Sequence, residues 1–510
     1  MNDIYQLLKK YYGYDSFRKG QENIIQNIIK GRDISAVMPT GAGKSICYQI
    51  PAMTFDGITL VISPLISLMQ DQVKNLISMG IRAAYLNSTL PPRQMSLAIE
   101  NAANGVYKII YVAPERLMTD SFITFAVNAN ISLIAVDEAH CISQWGHDFR
   151  PSYTQISEFT EHLPKRPVIA AFTATATERV KQDIAANLHL IDPYTVSTGF
   201  DRENLYFATY QPVDKTQFIL NYVSQNEDRS GIIYCSTRKE VERIAQILSE
   251  SGFSALPYHA GMSDSERIYN QNEFIYDRAK IIVATNAFGM GIDKPNVRYV
   301  IHNNMPQNME EYYQQAGRAG RDGEESECIL LYCARDVKLN EFLIQKGSEK
   351  ENDHLDEESR QQYIDAELEK LRLMTFYSTS KTVCLRKRIL QYFGEKFYAP
   401  CHHCSVCNGE SRTDSYHIVM NDMKNADNQK LYVDEALLDR LKKKRISLAL
   451  ASGIPAFAVL SDASLREMAA YAPGKISELT RISGFGEAKI NRYGKAFIDV
   501  INEYENEAEF

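Results

Sequence analysis

Short β-rich apolar runs alternate with helix-period patterns twice along this chain, and that rhythm limits the folds open to it. The first set is ISAVM, ITLVIS, KIIYV, LIAVDE and VIAAFTAT, and the second is GIIYC, KIIVAT and VRYVIHN. Strands joined through helices pair in parallel, because parallel neighbours need a crossover connection. The fold class is therefore α/β, with two tandem parallel-sheet lobes at 1–205 and 206–340. A helical, cysteine-bearing segment is expected at 341–410, a linker at 411–430 and a small all-helical domain at 431–510. A length of 510 residues agrees with several domains, since one hydrophobic core rarely serves more than about 200 residues.

The net charge of −8 rules out a surface that is basic throughout, so any site for a polyanion must be local. No run approaches the roughly 18 apolar residues of a membrane span, and the opening MNDIYQLLKKYY lacks the apolar core of a signal peptide. The expectation is a cytoplasmic protein without a membrane partner. Nine cysteines, an odd number, argue for reduced thiols rather than a disulfide framework.

The segment ISAVM-PTGAGKS-ICYQI reads as a strand, a glycine-bearing loop and a helix start. Main-chain N–H groups at Thr40, Gly41 and Gly43 can cradle phosphates, Lys44 can reach the terminal ones, and Ser45 can ligate magnesium. Met38 stands where the generic G-x-x-x-x-G-K-S pattern has its first glycine. About ninety residues on, LIAVDEAH ends an apolar strand in two carboxylates. Asp137 can hold magnesium through water and Glu138 can polarise an attacking water, which is what in-line phosphoryl transfer requires. Together the two segments imply phosphate hydrolysis with Mg2+.

Between those carboxylates and Thr173-Ala174-Thr175 lies a stretch with the chain's only tryptophan, Trp145, followed by His147, Phe149, Arg150 and Tyr153. Rings that stack on bases and cations that meet phosphates suit single-stranded nucleic acid. The alternative is that Trp145 and Phe149 are core residues, which the polar Gly146, His147 and Asp148 argue against.

Cys384, Cys401, Cys404 and Cys407 read C-x16-C-x2-C-x2-C and offer four thiolates to one tetrahedral ion. Structural zinc fits that set best, an iron–sulfur cluster is the other candidate, and His402 and His403 are alternative ligands. From Arg440 to Lys495 eleven Lys or Arg face four Asp or Glu, including the run Lys442 to Arg445. Within the same stretch ISGFGEAKI places a glycine turn before a helix, where N–H groups can face a phosphate.

DEAH followed by CISQWGHDFRPSY, and QQAGRAGRDG at 314–323, resemble the motifs of superfamily 2 helicases in their RecQ variant, over residues from about 5 to 410. The resemblance implies two RecA-like lobes and an ATP-dependent DNA helicase of 3′-to-5′ polarity that unwinds tailed or branched duplexes in recombination and repair. The rival readings are an RNA-directed helicase and a decayed DNA-binding scaffold. It further implies that Tyr14, Phe17, Arg18 and Gln21 grip the adenine, that Asp293 in ATNAFGMGIDKPNV lies near ATP, and that Arg321, with Arg318 beside it, is the arginine finger. SPLISLMQDQV, YLNST, APERL, YCSTR and YHAG would contact the strand backbone. The resemblance also places the metal ligands on the four cysteines, and the C-terminal stretch is similar to a helicase-and-RNase-D C-terminal (HRDC) domain. Gln315 stands where the family often has Glu. Only residues 408–430 separate Cys407 from Leu431, too few for the winged helix that many bacterial members carry there. The expected partners are ATP with single-stranded and tailed duplex DNA, met by a monomer.

Overall fold

The computed structural model describes residues 4–87, 90–143, 149–288, 294–351, 357–398, 400–410 and 433–508. The described residues form two compact units, one from residues up to 200 together with those from 433 onward, the other from 201–288 and 294–410. Among the described residues no helix is long and apolar enough to cross a membrane.

In the first unit seven strands, β1 (Ile34–Val37), β2 (Ile58–Ile62), β3 (Ala83–Leu86), β4 (Ile109–Val112), β5 (Ile131–Val136), β6 (Val168–Thr173) and β7 (Tyr194–Ser197), pair in the order β3-β4-β2-β5-β6-β1-β7. All pairings are parallel. The residues of β1, β2 and β4 are buried throughout, as strands covered by helices on both faces must be. Helix residues such as Ile24, Tyr48 and Leu76 pack on Tyr111 and Phe172 of the sheet.

The second unit has its own parallel sheet: β8 (Leu205–Tyr210), β9 (Ser230–Tyr234), β10 (Ala255–Tyr258), β11 (Ile281–Ala284), β12 (Val297–His302) and β13 (Ser326–Leu331), in the order β10-β11-β9-β12-β13-β8. Helix Ala334–Glu351 runs through residue 340 and belongs with this sheet, because Asp336 in its first turn accepts from Lys215 Nζ at 3.1 Å and from Met305 N at 3.2 Å. The edge strand β8 is covered rather than open: Ser405 N donates to Phe207 O at 2.9 Å, and Cys404 bridges Phe207 in parallel. An unpaired edge invites association with other strands, and the cysteine segment removes it here.

The C-terminal residues fold around a separate core in which Leu441, Leu465, Met468, Phe485, Phe497 and Ile501 meet. This domain lies against the N-terminal turn of its own unit, where Gly484 N donates to Gly13 O at 3.2 Å. The turn of ISGFGEAKI, read above as a phosphate-facing element, thus has one N–H bonded to the first lobe. A Cβ at Gly13 would come within 2.6 Å of the main-chain nitrogens of Phe485 and Gly486, and Gly13 has φ +74°. Gly31 has φ +83° and nothing within 4 Å of its Cβ position, so it separates backbone strain from contact. Gly13→Ala should increase amide exchange at Phe485 and Gly486 by roughly tenfold relative to Gly31→Ala, as measured by hydrogen–deuterium exchange. Equal exchange in the two variants would mean that the seat tolerates a methyl group.

Candidate functional site

The register of the first sheet decides which residues meet. Val37 of β1 pairs with Thr173 of β6, and Val136 of β5 pairs with Ala171 of β6. The glycine loop after β1, the Thr-Ala-Thr segment after β6 and the two carboxylates after β5 therefore leave the same edge side by side, the carboxyl end where open α/β sheets hold ligands. Helix Lys44–Thr54 begins at Lys44 behind Gly43, whose φ of 80° lets the loop turn into the helix. Ser45 lies in its first turn.

Gln21, 2% exposed, braces that loop. Its amide donates to Ala42 O and Gly43 O, both at 3.0 Å, and its oxygen accepts from Arg18 N at 2.8 Å. The Arg18 guanidinium donates to Gly41 O. Tyr14 is partly exposed and lies beside Gly484 of the C-terminal domain. The resemblance put Gln21 and Arg18 on the adenine; their bonds to the loop were not legible, because a side chain that reaches back to a carbonyl leaves no pattern in the chain.

At the other side, Asp137 N donates to Ile62 O at 2.9 Å, and Glu138 N to Asp137 Oδ1 at 3.0 Å. Burial pushes the Asp137 carboxyl up to about 7, with the Glu138 carboxylate adding to the shift and Lys44 opposing it. A cation held beside this pair would favour the charged form. Glu138 has φ 47°, left-handed for a non-glycine residue, and its Oε2 is buried 3.5 Å from His140 Nδ1. His140 Nδ1 is 2.8 Å from Thr173 Oγ1, so the carboxylate segment and the Thr-Ala-Thr segment are directly bonded.

Trp145, His147 and Asp293 lie outside the described residues, as do Ser88 and Thr89 of YLNST. Phe149 and Arg150 are half-buried, and Arg150 Nη1 donates to Pro64 O of SPLISLMQDQV at 3.1 Å. Tyr153 is not a stacking ring: it is fully buried and its hydroxyl donates to Asp137 O at 2.9 Å. In the second unit Arg318 and Arg321 lie in the turn between helix Met309–Ala316 and β13. Arg318 is buried, and its guanidinium acts on the Tyr234 hydroxyl. Gln315 bonds His302 Nε2 at 2.9 Å through its oxygen and donates to Glu311 at 3.0 Å through its nitrogen. Thr237 of YCSTR accepts from Glu240 N and is a helix cap.

The sulfurs of Cys384, Cys401, Cys404 and Cys407 all lie within 4.8 Å of one another. Cys401 Sγ and Cys407 Sγ are 3.8 Å apart, the separation that a tetrahedron with zinc–sulfur bonds of about 2.3 Å imposes. Hydrogen bonding from Cys401, and then from Cys404, pulls Cys384 down to about 3, while the donor Cys401 is raised in return. His403 is turned away, 3.3 Å from Glu325. The donor set fits zinc. In the C-terminal domain Arg445 is buried, donating to Leu460 O at 2.9 Å and pairing with Asp462 at 2.7 Å, so that member of the basic run is a core residue.

Four family models match in order: DEAD/DEAH box helicase over residues 18–184, helicase conserved C-terminal domain over 214–323, RecQ zinc-binding over 334–408 and HRDC domain over 434–501. The chain is 38% identical to the ATP-dependent DNA helicase RecQ of Bacillus subtilis, with 98% of each chain covered. It is 34% identical to that of Pasteurella multocida, with 98% of this chain and 93% of the relative covered. The first alignment has 591 positions against 510 residues here, which leaves at least 81 positions without a counterpart in this chain. Among solved structures, the DUF1998 helicase MrfA bound to DNA superposes with a TM-score of 0.55 at 20% identity, over 68% of this chain and 53% of that one. The DEAD-box helicase Mss116 bound to single-stranded RNA gives 0.53 at 20%, over 68% of this chain and 77% of the other. Such low identities speak for the fold alone. Near-complete coverage by RecQ relatives, with the zinc-binding and HRDC models both matched behind the two helicase lobes, settles the family: the chain belongs to the RecQ ATP-dependent DNA helicases.

Proposed function

We propose that this helicase moves 3′ to 5′ along single-stranded DNA and opens tailed or branched duplexes in recombination and repair, as a monomer in the cytoplasm. The observation that carries the reading is that the segments bearing Lys44 and the Asp137–Glu138 pair follow β1 and β5, the two strands that flank β6, with His140 bonded to Thr173 at the end of β6. In this reading Thr40, Gly41, Gly43 and Lys44 hold the phosphates, and Ser45 and Asp137 hold magnesium, which supplies charge neutralisation when bound. Glu138 orients the attacking water. Arg321, with Arg318 beside it, provides the cation that completes the site, and Asp293 lies near the nucleotide. Tyr14, Arg18 and Gln21 hold the adenine, so Gln21 would link base occupancy to the loop it braces. Trp145, His147, Phe149 and Arg150 meet the strand.

Lys44→Ala or Glu138→Gln should reduce turnover to below roughly a hundredth of the parent's while leaving binding of single-stranded DNA unchanged. Turnover above about a tenth in a steady-state ATPase assay would remove these residues from the chemistry. The same assay with DNA and RNA oligonucleotides in parallel tests the choice of strand, and stronger stimulation by RNA would overturn it.

The cysteine site should be structural. Cys404→Ser is expected to lose one bound zinc per chain by metal analysis and to accelerate proteolysis between residues 334 and 410, because metal binding there is folding free energy. Zinc retained at full stoichiometry would contradict the ligand set.

With few residues between the zinc segment and the HRDC domain, the grip on duplex DNA must come from the second lobe, the zinc segment or the C-terminal domain. Phosphate contacts by Lys and Arg weaken steeply with salt. Truncation near residue 425 should preserve the ATPase, weaken binding to tailed DNA and flatten its salt dependence. Unchanged affinity and slope in a fluorescence titration would assign the grip to residues before 410.

A further inference from the structure

Tyr153 has no role in the phosphate or strand contacts assigned above, yet it touches the centre of the site. It lies in the 3-10 turn Pro151–Thr154, fully buried, and reaches back sixteen residues to the Asp137 carbonyl. That carbonyl belongs to the peptide joining the two carboxylates. The same peptide's N–H, on Glu138, is bonded to Asp137 Oδ1 at 3.0 Å, and Glu138 O accepts from Cys141 N at 2.9 Å. The φ of 47° at Glu138 is a conformation that L residues rarely adopt and that persists where the surroundings over-determine it. Burial, the largest cause, pushes the Tyr153 phenol far up, which keeps it a neutral donor.

The other end of the turn is tied to the strand-side segments. Arg150 N donates to Cys141 O at 2.9 Å, Arg150 Nη1 to Pro64 O at 3.1 Å, and Ser152 Oγ to Glu115 of APERL at 3.0 Å. Tyr153 N in turn donates to Arg150 O at 2.9 Å. A short, bonded turn thus connects two segments read as strand contacts with the backbone of the carboxylates.

We propose that Tyr153 is a positioning residue: its hydroxyl fixes the plane of the Asp137–Glu138 peptide, and with it the direction of both carboxylates. The inference rests on Asp137 and Glu138 acting as proposed above, and Glu138→Gln tests that assignment separately. Hydrogen bonds weaken steeply with misalignment, and a carbonyl left unpaired in the interior turns toward another donor. Small misplacements of catalytic groups are costly in rate.

The test is the full-length Tyr153→Phe variant, assayed for ATP hydrolysis with saturating oligo-dT. The expected result is a kcat lowered roughly tenfold, with the KM for ATP and the DNA concentration for half-maximal stimulation within about twofold of the parent's. Unchanged kcat in the folded variant overturns the proposal. So does a loss that appears as a raised KM, or one that matches a reduced fraction of active sites titrated with a tight-binding ATP analogue. Should Tyr153→Phe fail to fold, 3,5-difluorotyrosine at position 153 keeps the ring and strengthens the donor. A kcat shifted by more than about twofold at constant KM then supports the role, and an unshifted kcat overturns it. If Glu138→Gln itself retains turnover, the carboxylate assignment falls, whatever the Tyr153 variants do.

Discussion

The parallel pairing of β6 with both β1 and β5 holds the first unit's chemistry together. Hydrogen bonds evenly spaced along three adjacent parallel strands fix where each strand stops, and everything functional follows the stops. Met38 N bonds Thr173 O at 2.9 Å just beyond β1, and Asp137 N bonds Ile62 O just beyond β5, so the sheet's ladder continues into the first residues of both loops. A one-residue slip of either strand would turn its side chains to the opposite face. The continuous apolar burial of β1 and of β5 from Leu133 onward makes a slip costly in cooperativity with the core, but it does not by itself specify register. Among the loop bonds, His140 on Thr173 ties the segment after β5 to the end of β6, while Gln21 on Ala42 and Gly43 and Tyr153 on Asp137 hold the loops that follow β1 and β5.

The eight strands that carry long apolar runs were legible because buried parallel strands are written as uninterrupted apolar segments. The structure adds β3, β7, β8, β10 and β13. AAYL is buried only at its two ends and YTVS at none of its positions; they are the two edge strands of the sheet, each only four residues long. Strand β10, ALPY, contains a proline, which is tolerated at the end of the order where one side of the strand is unpaired. LYFATY was divided by the expected boundary at 205, yet it is the strand on which the zinc segment seats. That seat rests on Ser405 and Phe207, nearly two hundred residues apart, and no local pattern announces it.

The candidate site shows the same division. Lys44, Asp137, Glu138 and the four cysteines were visible because their chemistry dictates residue type and spacing together. Tyr153 was visible only as one more ring in an aromatic stretch, and its burial reverses that reading. Arg445 was counted in a basic run, whereas its guanidinium closes a gap in the C-terminal core against Leu460 and Asp462. Lys443 pairs with Asp439 one turn away, and Arg440 with Glu507, so the positive excess of this domain is smaller at its surface than along its sequence. Pairs of that kind, exposed on helices, contribute little to stability, but they do lower the local field a phosphate would meet.

Gln315 shows how an uncharged amide is accommodated by its buried neighbours. Its amide nitrogen is bonded to Glu311, which leaves the oxygen for His302 and requires His302 to donate from Nε2. Burial holds His302 down to about 4, so the imidazole is neutral and a neutral partner suffices. Glu311 is raised by burial, one helical turn from Gln315. A carboxylate at 315 would face that buried carboxyl at i, i+4, and one of the two would have to take up a proton. The amide satisfies both neighbours without charge, and the helix that leads into Arg318 and Arg321 is anchored to β12 through His302 on the same bonds.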